Sequence, residues 1–328
     1  MEKKRIELVD YLRGLALISV VWFHTAHPAF LNFSWFIPLL FFISGFCFHP
    51  YEPKTFLKKK INQLLVPMVF FYLIYCLYYF ALYVVKYQEL SNFNFHVFFN
   101  VFDLYSGVES FTINPPLWFI FALLDIQFVM YGLIRLTRNK YIVLAISLLI
   151  SIIGSLWLYE LPTLFMVSRS SPYFIYFAAG FCFGKPLLDI VTQEKSYKYW
   201  ALLVSSLFLF LISIIAINVF GYESYHQFGA LDYTAVFSFI ILLFFLMHKL
   251  CQYKMAGFIA FFGKNTLVLY GFHEMLLTIM LIGVNHIFGE NNLLLGIIQV
   301  ILVLCITYPL TLWCNKYIPK LIGKQDLF

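Results

Sequence analysis

Charge is what this chain has least of. Only 12% of its 328 residues are Asp, Glu, Lys or Arg, whereas 62% are hydrophobic, and a chain so poor in charge cannot cover a water-soluble surface. Acids are scarcer than bases, 16 against 22. In so apolar a chain the excess bears on membrane orientation rather than on nucleic acid, because membrane proteins keep Lys and Arg on the cytoplasmic side. Six cysteines, Cys47, Cys76, Cys182, Cys251, Cys305 and Cys314, fall in or beside apolar runs without paired spacing, so they read as small hydrophobes rather than a disulfide or zinc framework. Repeats, low-complexity linkers and an additional soluble segment are missing too, and residues 1–328 are expected to form a single transmembrane domain. Nor is the start expected to be a cleaved signal: Asp10 and Arg13 interrupt its apolar run, and no small-x-small site follows before the next one.

What the chain has is apolar length. Segments near 9–29, 32–49, 64–86, 116–135, 141–159, 172–184, 199–219, 232–248, 265–284 and 292–313 approach the roughly 20 residues that a bilayer-spanning helix needs, the sixth being the shortest. The fold class expected is all-α, a polytopic membrane bundle of about ten helices with both termini cytoplasmic. The cations test that count: with the amino terminus inside, twenty of the Lys and Arg residues fall on the inner side, and only Lys86 and Arg169 fall outside. A multi-pass protein of the cell (plasma) membrane is expected. The longest outward connection, Tyr87 to Pro115, is rich in Asn, Phe and Tyr and carries Asp103 and Glu109, a composition suited to sugar contact or to an ordered loop without a ligand.

Against this apolar background one stretch stands out. Asp10 to His24, Asp-Tyr-Leu-Arg-Gly-Leu-Ala-Leu-Ile-Ser-Val-Val-Trp-Phe-His, places an acid, an arginine and a histidine in a membrane-bound segment, where a charge costs about 2.5 to 3.5 kcal/mol or more. Arg13 and His24 are eleven residues apart, about three helical turns, so they share a face at a separation of about 16 Å along the axis. Asp10 lies within pairing reach of Arg13 on that face. Such a seam belongs against a bundle interior or a wet cavity, although Asp10 and Arg13 also suit an interfacial anchor.

Other polar groups within the spans are site candidates by the same argument: Asp125 in the fourth, and His273 with Glu274 in the ninth. A structural ion pair explains Asp125 as well as catalysis does. His24 and His27 have a metal-like spacing, but Pro28 follows and no third ligand is near in sequence, so no metal is expected. Ser44 and Gly45 form a small-residue step that admits either a ligand or a neighbouring helix.

These residues resemble the integral-membrane acyltransferase type 3 family. Arg13, ten residues and then His24 resemble its first-helix signature, Phe41 to Phe46 its Phe-Phe-x-Ser-Gly-Phe element, Pro116 to Ala122, which includes Trp118, its Leu-Trp-Phe segment, and Leu269 to His273 its late Tyr-x-x-His element. The resemblance implies a membrane O-acyltransferase that takes acetyl or another short acyl group from cytoplasmic acyl-CoA to a hydroxyl of a carbohydrate or lipid-linked glycan. It implies no permanently bound cofactor, with acyl-CoA as donor substrate, the bilayer as environment and no nucleic acid. Arg13 would hold the donor and His24 would act as general base. Guanidinium grips phosphate or carbonyl oxygen and imidazole removes a proton near neutrality, which fits that division. Asp10, Ser44, Gly45, Trp118, Asp125 and His273 are the expected substrate-binding residues beside Lys58, Lys59 and Lys60, which suit coenzyme phosphates or simple topology.

Two departures stand out: the family's cytoplasmic Arg-x-x-Arg is here Lys60-Ile-Asn-Gln63, and its paired glutamates of the fourth helix are Leu123, Leu124 and Asp125. The alternative reading is a glycan exporter, in which intramembrane Arg, His and acids line a pathway.

Overall fold

The computed structural model describes residues 6–25, 34–87, 93–102, 115–158, 161, 167–219, 229–288 and 293–327. Among them there is no strand. Thirteen α-helices follow in chain order: α1 Glu7–Phe23, α2 Phe36–Phe46, α3 Pro53–Lys60, α4 Val66–Tyr87, α5 Trp118–Thr137, α6 Lys140–Ile153, α7 Val167–Ser170, α8 Phe174–Val191, α9 Tyr197–Val219, α10 Ala230–Gln252, α11 Gly257–Lys264, α12 Thr266–Phe288 and α13 Leu293–Tyr317. A π-helical turn, Ile61–Leu65, makes α3 and α4 one continuous rod.

Seven helical runs among the described residues are long and apolar enough to cross a membrane: Pro53–Tyr87, Pro115–Thr137, Lys140–Leu158, Val167–Val191, Tyr197–Ile217, Ala230–Gln252 and Leu293–Tyr317. The other three expected spans correspond to α1, α2 and α12, so about ten is an approximate count. Of these, α1 carries Glu7, Asp10 and Arg13, and α2 has only 11 residues, about 16 Å, too short to cross on its own. The sixth segment, short in sequence, is instead a 25-residue run from Val167 to Val191. Its middle is built of Ala178, Ala179 and Gly180, small residues buried against neighbours, which lowers its apparent hydrophobicity.

Burial divides the helices into two layers. Leu8, Val9, Tyr11, Leu12, Ala16, Leu17, Val20 and Val21 bury α1 all round, and Leu39 to Ile43 do the same for α2. A helix apolar on every side belongs in the middle of a bundle. Around them, α9 exposes Val204, Phe208, Leu211 and Ile215, and α4 exposes Val69, Leu73 and Leu77, faces suited to lipid.

Two glycine crossings seat the inner pair. A Cβ on Gly14 would collide with the Ile259 carbonyl of α11, and one on Gly263 with the Asp10 carbonyl of α1. Gly45 and Gly180 repeat the arrangement between α2 and α8, facing the carbonyls of Phe177 and Phe42. Helices approach this closely only where both partners lack a side chain.

Ile6 stands on one cavity wall with Gly323 and Lys324, so both described ends of the chain meet at one end of the bundle, called here the base. There Leu327 N–H donates to Asn62 Oδ1 at 2.7 Å, and Lys58 pairs with Asp326 at 3.8 Å. Of the long 87–115 connection, the described part is a 3₁₀ turn, Phe95–Phe102, that packs Phe93, Phe95 and Phe98 on one another and on Phe80 and Tyr83 of α4. Asp103 and Glu109 lie outside the described residues.

Candidate active site

At the end remote from the base, α1 stops at His24, whose φ of −91° and ψ of 2° leave the helix. Thr25 secures the exit by donating its hydroxyl to the Trp22 carbonyl at 2.7 Å. The imidazole stands edge-on to Phe23, with ring centroids 5.6 Å apart. Its Nδ1 lies 3.3 Å from Glu274 Oε2, the two side chains being 32% and 28% exposed. That contact lacks straight hydrogen-bond geometry, for Glu274 Oε2 is buried without a hydrogen-bond partner.

His273 completes the group from α12. It is 0% exposed, and its ring centroid is 5.4 Å from that of His24. His273 Nδ1 meets the Tyr270 carbonyl at 2.7 Å. A carbonyl only accepts, so Nδ1 carries the proton and Nε2 is left with a lone pair. That Nε2 is buried with no partner. The register of α12 is held by α4: Met275 N–H donates to the Tyr75 hydroxyl at 2.9 Å, and a Cβ on Gly271 would collide with the Phe71 ring. One nitrogen of each histidine and one Glu274 oxygen lie within 4.8 Å of one another. Among the described residues this is the donor set able to hold a metal. His27 lies outside the described residues.

Arg13 belongs to the other end of the seam. It lines two cavities that open near the base, one of about 640 Å³ and one of about 400 Å³. The larger is walled by Asp10, Gln63, Lys185, Lys264, Asn265 and Lys324. The smaller is walled by Ser44, His49, Tyr51, Lys59, Lys60, Gln63 and Gln127 together with apolar Leu17, Leu40, Phe119, Ile120 and Tyr270. Tyr270 therefore touches both regions: its side chain lines the cavity and its carbonyl holds His273. Neither cavity is lined by His24 itself.

The expected site residues thus separate into groups. Arg13, Asp10, Ser44, Lys59 and Lys60 stand on cavity walls, with Lys59 Nζ 3.7 Å above the Tyr51 ring. His24 and His273 meet at the far end. Lys58 points away from both cavities, to an exposed pair with Asp326. Gly45 is filled by the Phe177 carbonyl, so its small size serves the crossing with α8. Trp118 packs on Phe119 and Tyr173, and Asp125 is half-buried on α5; neither lines either of these two cavities.

Several wall residues went unremarked in sequence. Lys185, Lys264 and Lys324 counted there only as topology markers, and Gln127 as nothing. Gln63 was visible as a departure from the family pattern, and with Lys60 it lines the smaller cavity from one turn of the rod.

A helical bundle with membrane-length apolar helices, a basic base lined by cavities and a fully buried imidazole beside a half-buried one defines a polytopic membrane protein with a polar interior fit for chemistry. Residues 6–315, nearly the whole chain, match the model of a family described as an acyltransferase domain. The chain belongs to that family and is a membrane acyltransferase for groups other than amino-acyl groups. No curated protein and no solved structure matches it.

Proposed function

We propose that the protein is an O-acyltransferase of the cell membrane that moves an acetyl or similar short acyl group from cytosolic acyl-CoA to a hydroxyl of a surface or lipid-linked glycan. The observation that carries this reading is the division along α1: Arg13 among cations at the base, His24 beside a carboxylate at the far end. Six cations, Arg13, Lys59, Lys60, Lys185, Lys264 and Lys324, line the two cavities, an environment that draws the phosphates of a coenzyme. The base of the bundle faces the cytosol in this reading, in accord with the distribution of Lys and Arg.

The reaction needs one proton moved twice. With Nδ1 turned to Glu274, the proton of neutral His24 sits on Nδ1 and Nε2 is free to accept. Nε2 takes the proton as the acceptor oxygen forms its bond to the thioester carbon. The C–S bond then breaks, and the imidazolium returns that proton to the departing thiolate. Arg13 orients the donor from the base, and its acyl end reaches toward the histidines past Leu17 and Tyr270, which line the smaller cavity.

Purified protein given labelled acetyl-CoA and a glycan acceptor is expected to form an alkali-labile ester. His24→Ala is expected to fold and to lose about 10²- to 10⁴-fold in turnover. A folded His24→Ala protein with full turnover overturns the assignment.

A further inference from the structure

The far-end site holds more hydrogen-bond acceptors than one reacting hydroxyl can satisfy. His24 needs the proton of the alcohol that reacts. His273 Nε2, in a residue 0% exposed, is a second lone pair with no partner. Its tautomer is fixed because Nδ1 already donates to the Tyr270 carbonyl at 2.7 Å, so Nε2 can only accept. Glu274 Oε2 is a third acceptor, buried and without a hydrogen bond, 3.3 Å from His24 Nδ1. An acceptor sealed away from water is costly unless a donor reaches it. Among the described residues no side chain donates to His273 Nε2, the hydroxyl of nearby Tyr270 being itself buried and unpartnered, so a donor that arrives with the substrate satisfies it.

Resting on the glycan-acylation reading above, we propose that the acceptor is recognised as a pair of neighbouring hydroxyls, a vicinal diol. The reacting hydroxyl donates to His24 Nε2 and its neighbour donates to His273 Nε2. Hydroxyls on adjacent carbons are spaced for this, since the two imidazole centroids are 5.4 Å apart and one nitrogen of each ring lies within 4.8 Å of one on the other. Glu274 is a positioning residue: it keeps the His24 proton on Nδ1 and the contact straightens when the alcohol binds, as hydrogen bonds at unliganded active sites do. His273 is a binding residue for the hydroxyl that does not react, and it determines which hydroxyls of a sugar ring qualify.

The test uses the full chain in detergent with labelled acetyl-CoA and a panel of methyl hexopyranosides, each beside its monodeoxy analogues. Glycosides that keep the neighbouring hydroxyl are expected to be acylated on the order of 10³-fold faster, in kcat/KM, than analogues lacking it, because a site built to bind a hydroxyl rejects its absence. This comparison needs no variant.

His273→Gln, which keeps an acceptor near Nε2, is expected to retain the preference. His273→Phe is expected to raise KM for the diol and to erase the preference, with a thermal melt reporting that it folds. Equal rates on diol and monodeoxy acceptors, or a preference that survives in folded His273→Phe, overturns the proposal while leaving acyl transfer to glycans in place. Activity lost on chelation and regained with Zn²⁺ assigns the three acceptors to a cation and also overturns it. No ester on any glycoside, with wild-type protein, removes the glycan reading and this inference together.

Discussion

The two ends of α1 differ in the kind of polarity they bury. At the base, Arg13 shares its cavities with Lys59, Lys60, Lys185, Lys264 and Lys324, basic groups that attract an anion and hold it at many positions. At the far end stand two imidazoles and one carboxylate, groups whose protons are set by their partners and which bring one donor atom each within 4.8 Å of the others. In the proposed reaction, this contrast keeps donor binding and bond-making apart by the length of one helix, so that a charged donor is gripped without its phosphates approaching His24.

Substitutions can break this comparison. The largest effect is expected at the far end, where His24→Ala lowers turnover as above while leaving donor KM near wild type. Next, Arg13→Lys is expected to raise KM for acyl-CoA roughly tenfold or more with a smaller change in turnover, because an ammonium replaces the fork of donors by a point charge. Initial rates across a donor titration check this, and an unchanged KM with collapsed turnover would place Arg13 in the chemical step. A conformational effect follows in size. Gly14→Ala thrusts a methyl into the Ile259 carbonyl and is expected to destabilise the protein by about 1–3 kcal/mol, seen as a lower melting midpoint in detergent and in disturbance of both ends together.

The smallest effect belongs to an exposed pair that lines neither cavity. Lys249 Nζ contacts Glu194 Oε2 at 2.5 Å, and this partner holds the Glu194 carboxyl below its usual value. A depressed acid contributes stability that is present above its unfolded pKa and lost as pH falls through the lower folded value. The difference in melting midpoint between wild type and Lys249→Met is therefore expected to be slight at neutral pH and to vanish in acid, with acyl transfer unchanged throughout.

Much of this architecture was legible in the chain. Long apolar runs mark the outer helices, since lipid-facing helices must be apolar on their own account. The eleven-residue spacing pointed to one helix for Arg13 and His24, and α1 carries Arg13 and ends at His24. Short-range pattern fails where neighbours supply the environment. Eleven-residue α2 and the Ala- and Gly-rich middle of α8 read poorly because each is completed by the other, through Gly45 and Gly180. Glu274 was visible as an intramembrane acid, yet its partner His24 is 250 residues away in sequence, and only the fold brings them together. The lysines of the base looked like orientation signals because their convergence on Arg13 is tertiary. Asp125 drew attention as a charge inside a span, whereas its neighbour Gln127, uncharged and overlooked, is the one on the cavity wall.

The interlocked backbones at Gly14 with Gly263 and at Gly45 with Gly180 bear on how substrates come and go. A carrier works by rocking one half against the other, which requires an interface able to slide. Here each carbonyl is sunk into a notch in the opposite helix, and sliding by even a fraction of a turn would drive side chains into main chain. The α1–α11 and α2–α8 pairs are therefore fixed units, as befits a catalyst that holds its frame while its reactants change places.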